Sequence, residues 1–210
     1  MIRTALAGIL LCAAAVHGQV LDAVVARVDR SVITWSEVVQ EVALRRLAGE
    51  SNGAPEPRAV TEALVRRALL VAEARKMRLA APPAEIQAAV KAVVDGAGGA
   101  AAFASWARQL GVRDDDVVRR AGEVVLMRRF LALRLEMTYV PEAEVRSFYS
   151  QQADVLGGRS LADVRDEVRS FLARKKYQQQ LEEWIARQVA QGRVQVMEPP
   201  GGWPPLPAEH

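Results

Sequence analysis

The sequence predicts a mainly α protein: a helical core with a small β-sheet formed by an N-terminal hairpin and a C-terminal strand. Three observations carry that expectation. Two β-branched runs, Val24 to Val28 and Ser31 to Ile33, stand close together near the front of the chain. Most of the chain beyond them repeats apolar residues at three- and four-residue spacing, the period of an amphipathic helix. Near the far end, Arg193-Val194-Gln195-Val196-Met197 alternates like a strand.

The hairpin connection Asp29-Arg30 lacks the glycine that favours a primed two-residue turn, so a longer or looser turn is expected. Thr34-Trp35-Ser36-Glu37 fits a capping box, opening a helix from Trp35 to about Ala48 with Trp35, Val38, Val39 and Val42 on one stripe. Residues 49–57 are rich in Gly, Pro, Ser and Asn and read as a loop. A second helix, about Arg58 to Leu79, carries Val60, Leu64, Ala68 and Val71, with Leu69, Leu70 and Met77 widening the face. So broad an apolar surface suits a central helix. Pro82-Pro83 starts a third helix with Ile86, Val90 and Val93, ending at Gly96. The segment Gly96 to Gly99 reads either as a hinge or simply as a helix end.

A short helix with Phe103, Trp106 and Leu110 stops at Gly111. Asp114 is expected to cap a long helix from Asp115 to about Met137. Val140-Pro141-Glu142 begins another, ending around Phe148-Tyr149, and a polar connection from Ser150 to Arg159 comes next. Ser160 caps the last long helix, which runs to about Ala190 with Val164, Val168, Leu172, Leu181, Trp184, Ile185 and Val189. An isolated hairpin is marginal in water, so the strand at Val194 to Met197 is expected to join it. Residues 198–210 form a Pro/Gly-rich tail of disordered composition.

The N-terminus carries an address. Met1-Ile2-Arg3 is positive, Ala5 to Val16 is mostly apolar, and Val16-His17-Gly18 offers small residues before a cut. Residues 1–18 therefore read as a cleavable secretory signal peptide and place the mature chain, 19–197 as one domain, in the periplasm. The competing reading is a short N-terminal anchor; a lipoprotein reading through Cys12 fails because Leu11 before it is too large. Cleavage leaves no cysteine, and His210 becomes the last histidine. Such a chain has no Cys–His or Ser–His nucleophilic site and no histidine metal site.

The net charge of +3 and pI near 9.3 come from interspersed acids and bases, a pattern of solvated helix faces rather than of a nucleic-acid footprint. No Gly-rich phosphate loop is present, so no nucleotide cofactor or ATP-driven cycle is expected, nor any other cofactor. Asp114-Asp115-Asp116 fits helix capping better than metal binding. Glu182 and Glu183, adjacent on a helix, point in different directions and make a poor bidentate site.

In the order "AVVARVDRSVITWSEV", "VPEAEVRSFY" and "SLADVRDEVRSFLARKKYQQQLEEWIARQVAQGRVQV", the chain resembles the SurA-type periplasmic chaperones over roughly residues 20 to 197. The resemblance implies a helical chaperone core closed by its last helix and strand. In that family a parvulin isomerase domain usually comes after the element matching Glu142 to Tyr149; the short connection here has room for none. It implies a chaperone module without the isomerase, and hence no enzyme. The implied partners are unfolded envelope or outer-membrane polypeptides, with membrane association only indirect and a homodimer left open. Helices apolar on several faces suit an apolar groove, with Phe103, Trp106, Met127, Phe130, Met137, Tyr139, Phe148 and Tyr149 as client-binding candidates. For any one of them the ordinary core is the stronger reading, and Trp35 and Trp184 are assigned to the core outright. Two other functions stay open: residual prolyl isomerase activity, and an adaptor that grips one envelope partner.

Overall fold

A computed structural model describes residues 22–47, 56–152, 155–198 and 202–203. Strands β1 (Val24–Val28) and β2 (Ser31–Thr34) lead into helix α1 (Trp35–Leu47). Then come α2 (Pro57–Lys76), α3 (Pro83–Gly96), α4 (Ala100–Gln109), α5 (Asp114–Glu136), α6 (Glu142–Gln152), α7 (Leu161–Ala190) and strand β3 (Val194–Val196). The fold is mainly α with one small antiparallel sheet. The expected signal peptide lies outside the described residues, as does most of the loop before α2.

The two ends of the chain meet in that sheet. β1 is central, with β2 on one side and β3 on the other, in the order β2-β1-β3. Arg27 faces Val32 on one flank and Gln195 on the other. The hairpin turn is tighter than the sequence suggested: Val28 sits opposite Ser31, leaving two residues between. Asp29 makes this possible by taking φ +52°, a left-handed conformation that Asp tolerates better than most residues. Its carboxylate accepts from Arg193 Nε (2.9 Å) and Nη2 (2.6 Å), and its N–H donates to the Arg193 carbonyl (2.8 Å). The missing glycine is thus offset from the other end of the molecule.

Capping differs in detail. Glu37 does reach back to the Thr34 N–H (3.1 Å), but the Thr34 hydroxyl pairs with Ser36 (3.1 Å). The Ser36 N–H and hydroxyl are bound by Asp22, so an upstream carboxylate completes the cap. α5 begins one residue early, and Asp116 rather than Asp114 accepts from the backbone before the helix, at Arg113 N (3.4 Å). α6 runs on to Gln152, past its expected end.

Four apolar clusters arise from the helix stripes. The first joins Val25, Val28 and Ile33 of the hairpin to Val38 and Val42 of α1, Val60, Leu64 and Leu69 of α2, and Val194. The second holds Leu44, Val93, Phe103, Ala107, Val112 and Val117. The third packs Leu70, Val71 and Ala74 of α2 against Leu126 and Phe130 of α5. α2 therefore lies between two cores, as its wide face requires. The fourth, Val140, Val145, Val164 and Val168 with Leu161, Leu172 and Phe148 leaning on it, is built from 140–173 alone.

That division explains α7. Its 30 residues span about 45 Å. Leu181, Trp184 and Ile185 of its second half pack on the first and third clusters, tying it to the body. Its first half pairs with α6 as an arm with its own small core.

Candidate functional site

Glu41 lies three residues after Val38, so the stripe that buries α1 buries this carboxylate too, to 3 % exposure. Three guanidinium groups meet it. Arg45 Nε donates to Oε1 (2.8 Å), Arg67 Nη1 to Oε2 (2.7 Å), and Arg120 donates from Nε to Oε2 (2.7 Å) and Nη2 to Oε1 (2.9 Å). Burial pushes the Glu41 pKa up, but the Arg120 hydrogen bonds and the charges of Arg67 and Arg120 outweigh it and hold the carboxyl at about 2. At neutral pH it carries no proton to donate. It ties α1, α2 and α5 together.

This knot floors a cleft of about 630 Å³ between the hairpin, α1, α2 and α5. One wall is apolar, from Val32, Leu44, Leu64, Val71 and Val112. The other is charged and internally paired: Arg119 lies 3.6 Å from Glu123 and 3.7 Å from Asp116. None of the eight candidate residues lines it.

A second hollow, about 570 Å³, lies at the elbow between body and arm. Leu135, Met137, Tyr139, Val140 and Ala173 line it, with Arg169 and Arg174 on its α7 side. Hydrogen bonds shape the connector: Thr138 donates from N to the Leu135 carbonyl (2.9 Å) and from its hydroxyl to the Arg134 carbonyl (2.9 Å). Arg169 is fixed between Glu142 (2.7 Å) and Asp166 (2.9 Å). Met137 and Tyr139 stand 63 % and 76 % exposed on this braced frame. They leave apolar surface open to solvent at a concave junction.

A third hollow, about 210 Å³, lies between α2, α5 and α7 and is lined by Met77, Phe130, Tyr177 and Trp184. The Tyr177 hydroxyl is buried without a hydrogen-bond partner among the described residues, and burial raises its pKa.

Of the eight candidates, the structure brings Met137 and Tyr139 together at the elbow and sends the rest elsewhere. α4 turns Phe103 into the second cluster, where it lies 5.5 Å from the Trp106 ring. Phe130 is buried in the third cluster with Met127 against it. Phe148 and Tyr149 lean on the arm core; Phe148 packs on Phe171 at 5.3 Å, and the Tyr149 hydroxyl donates to the Arg159 carbonyl (2.8 Å). Trp35 and Trp184 pack on the core as assigned. Glu182 is gripped by Arg66 at 2.7 and 2.9 Å while Glu183 accepts from Gln179, so the two acids do face apart. Glu41 and its arginines stand outside the eight candidates, although a charge inside the apolar stripe of α1 is their visible signal in the sequence.

Among the described residues, no group of three or more His, Cys, Asp or Glu is placed to hold a metal ion, and no helix is long and apolar enough to cross a membrane. No family model matches the chain, and no curated protein matches it.

Proposed function

We propose that this chain is an exported, ATP-independent holding chaperone for unfolded envelope or outer-membrane polypeptides, a SurA-type module without an isomerase domain. The observation that carries it is the elbow hollow, where Met137 and Tyr139 remain exposed beside Leu135 and Ala173. An unfolded chain offers isolated apolar side chains, and the hollow gives each a partly dry seat. Burying about 120 Å² of apolar surface contributes roughly 3 kcal/mol, weaker than a millimolar contact. Such a hold is released without fuel. The apolar wall of the cleft adds a second contact, and two linked weak contacts retain a long client better than either alone. The connection between α6 and α7, where the family carries its isomerase, is here closed by Tyr149 on Arg159 and by the Ser160 cap of α7. This reading assigns the chain no catalytic step.

The test is light scattering from a diluted, urea-unfolded outer-membrane protein. The chain is expected to slow aggregation at near-stoichiometric ratios, and the double change Met137→Ala with Tyr139→Ala to lose most of that protection while its circular dichroism is unchanged. No protection by the unaltered chain in excess would overturn the proposal.

A further inference from the structure

The segment after β3 reads Met197-Glu198-Pro199-Pro200-Gly201-Gly202-Trp203-Pro204-Pro205. Its composition argues for an unattached tail, yet Trp203 is half-buried against the folded body. Its ring lies 6.5 Å from that of Trp35, tilted by 51°, and it packs on the cluster that also receives Trp184 and Ile185. Gly202 delivers it at φ +87°, a conformation that costs glycine little. The contacts that hold the ring among the described residues are apolar.

We propose that the seat beside Trp35 binds an aromatic side chain carried on an extended, proline-flanked stretch of client polypeptide, and that Trp203 is the chain's own tethered occupant. The occupant on display defines the ligand: a flat ring packed on apolar neighbours, in a sequence flanked on both sides by prolines. Such a seat is transferable, because nothing in the contact requires the ring to come from this chain. The tether sets the competition. A connection of only a few residues from β3 holds Trp203 at an effective concentration on the order of millimolar, and a ring with an intrinsic Kd of about 0.1 mM then weakens any outside ligand about tenfold. Clients poor in accessible aromatic residues leave the seat filled; those rich in them displace the tail. The proposal rests on the holding function for its clients and names the side chain they present.

The probe is a fluorescein-labelled Gly-Gly-Trp-Pro-Pro-Leu-Pro peptide, matching residues 201–207, read by fluorescence anisotropy against the full-length chain. Trp203→Ala is expected to bind it about tenfold more tightly than the unaltered chain, and neither is expected to bind the peptide with Ala in place of Trp. Equal affinity of the two chains, or equal binding of the two peptides, overturns the proposal. A second measurement leaves the chain unsubstituted: with 5-fluorotryptophan incorporated, excess peptide should move the Trp203 fluorine resonance to its solvent-exposed position. An unmoved resonance at saturating peptide overturns the proposal as well. Tight binding by Trp203→Ala without any protection of unfolded clients would remove the holding function while leaving the seat intact.

Discussion

Glu41 and Arg120, 79 positions apart, share two hydrogen bonds of 2.7 and 2.9 Å at the floor of the cleft. Arg67 and Arg120 are themselves largely buried, so removing the carboxylate takes both hydrogen bonds from Arg120 and leaves Arg67 only a 3.8 Å contact with Glu123. Glu41→Gln is expected to cost about 3–5 kcal/mol, as broken buried pairs do. The pH dependence has a definite sign. The folded pKa is about 2 against 4.5 for the unpaired group, so the contribution is fully present above 4.5 and is lost as pH falls toward 2. A shift of that size is worth about 3 kcal/mol. Urea midpoints between pH 6 and 2.5 should fall for the unaltered chain and much less for Glu41→Gln; parallel curves would refute the assignment.

Gly96 marks a contact between α3 and α1. A methyl there would stand 1.7 Å from the Leu47 carbonyl oxygen and 2.8 Å from its carbon, both backbone atoms that cannot rotate aside. Gly96→Ala must push the two helices apart, at about 3 kcal/mol or more. Gly122→Ala, which would meet only the Ile86 side chain at 3.5 Å, is the control. Comparable denaturation midpoints for the two variants would sink this account.

Gly96 also shows where the sequence stops being legible. A glycine at a helix end is visible in the string, but the carbonyl 49 positions upstream that excludes a side chain is not. Local signals fared well: stripes set the helices, Ser160 caps α7 through the Asp163 N–H, and alternation placed β3. What failed was long-range. Nothing near Asp29 announces Arg193, and nothing in the α4 stripe says whether Phe103 faces a groove or a core. Tyr139 could be placed beside a helix end, yet its exposure depends on where α7 crosses.

The arm should open on its own. Val164 is fully buried, but only among residues 140–173, so its loss leaves the other three clusters untouched. Val164→Ala removes two buried methyl groups, worth about 2 kcal/mol. Hydrogen exchange should accelerate in α6 and the first half of α7, with α2 and α5 retaining their protection. Uniform acceleration across all helices would mean that arm and body unfold together.

Asp29 is the last position where backbone and charge can be separated. Its φ of +52° favours Gly, Asn or Asp, and its carboxylate receives Arg193 from the far end of the chain. Asp29→Gly keeps the turn and loses the ion pair; Asp29→Val loses both and adds about 1–2 kcal/mol of backbone strain. The hydrogen bonds from Arg193 hold the Asp29 carboxyl below its ordinary range, so the pair's contribution is present at neutral pH and fades as acid protonates the group. The glycine variant should therefore lose a small, salt-sensitive increment of stability, and the valine variant a larger one that salt does not erase. If both variants lose the same amount at low and at high salt, the turn is set by the strands and Arg193 contributes nothing to closing the sheet.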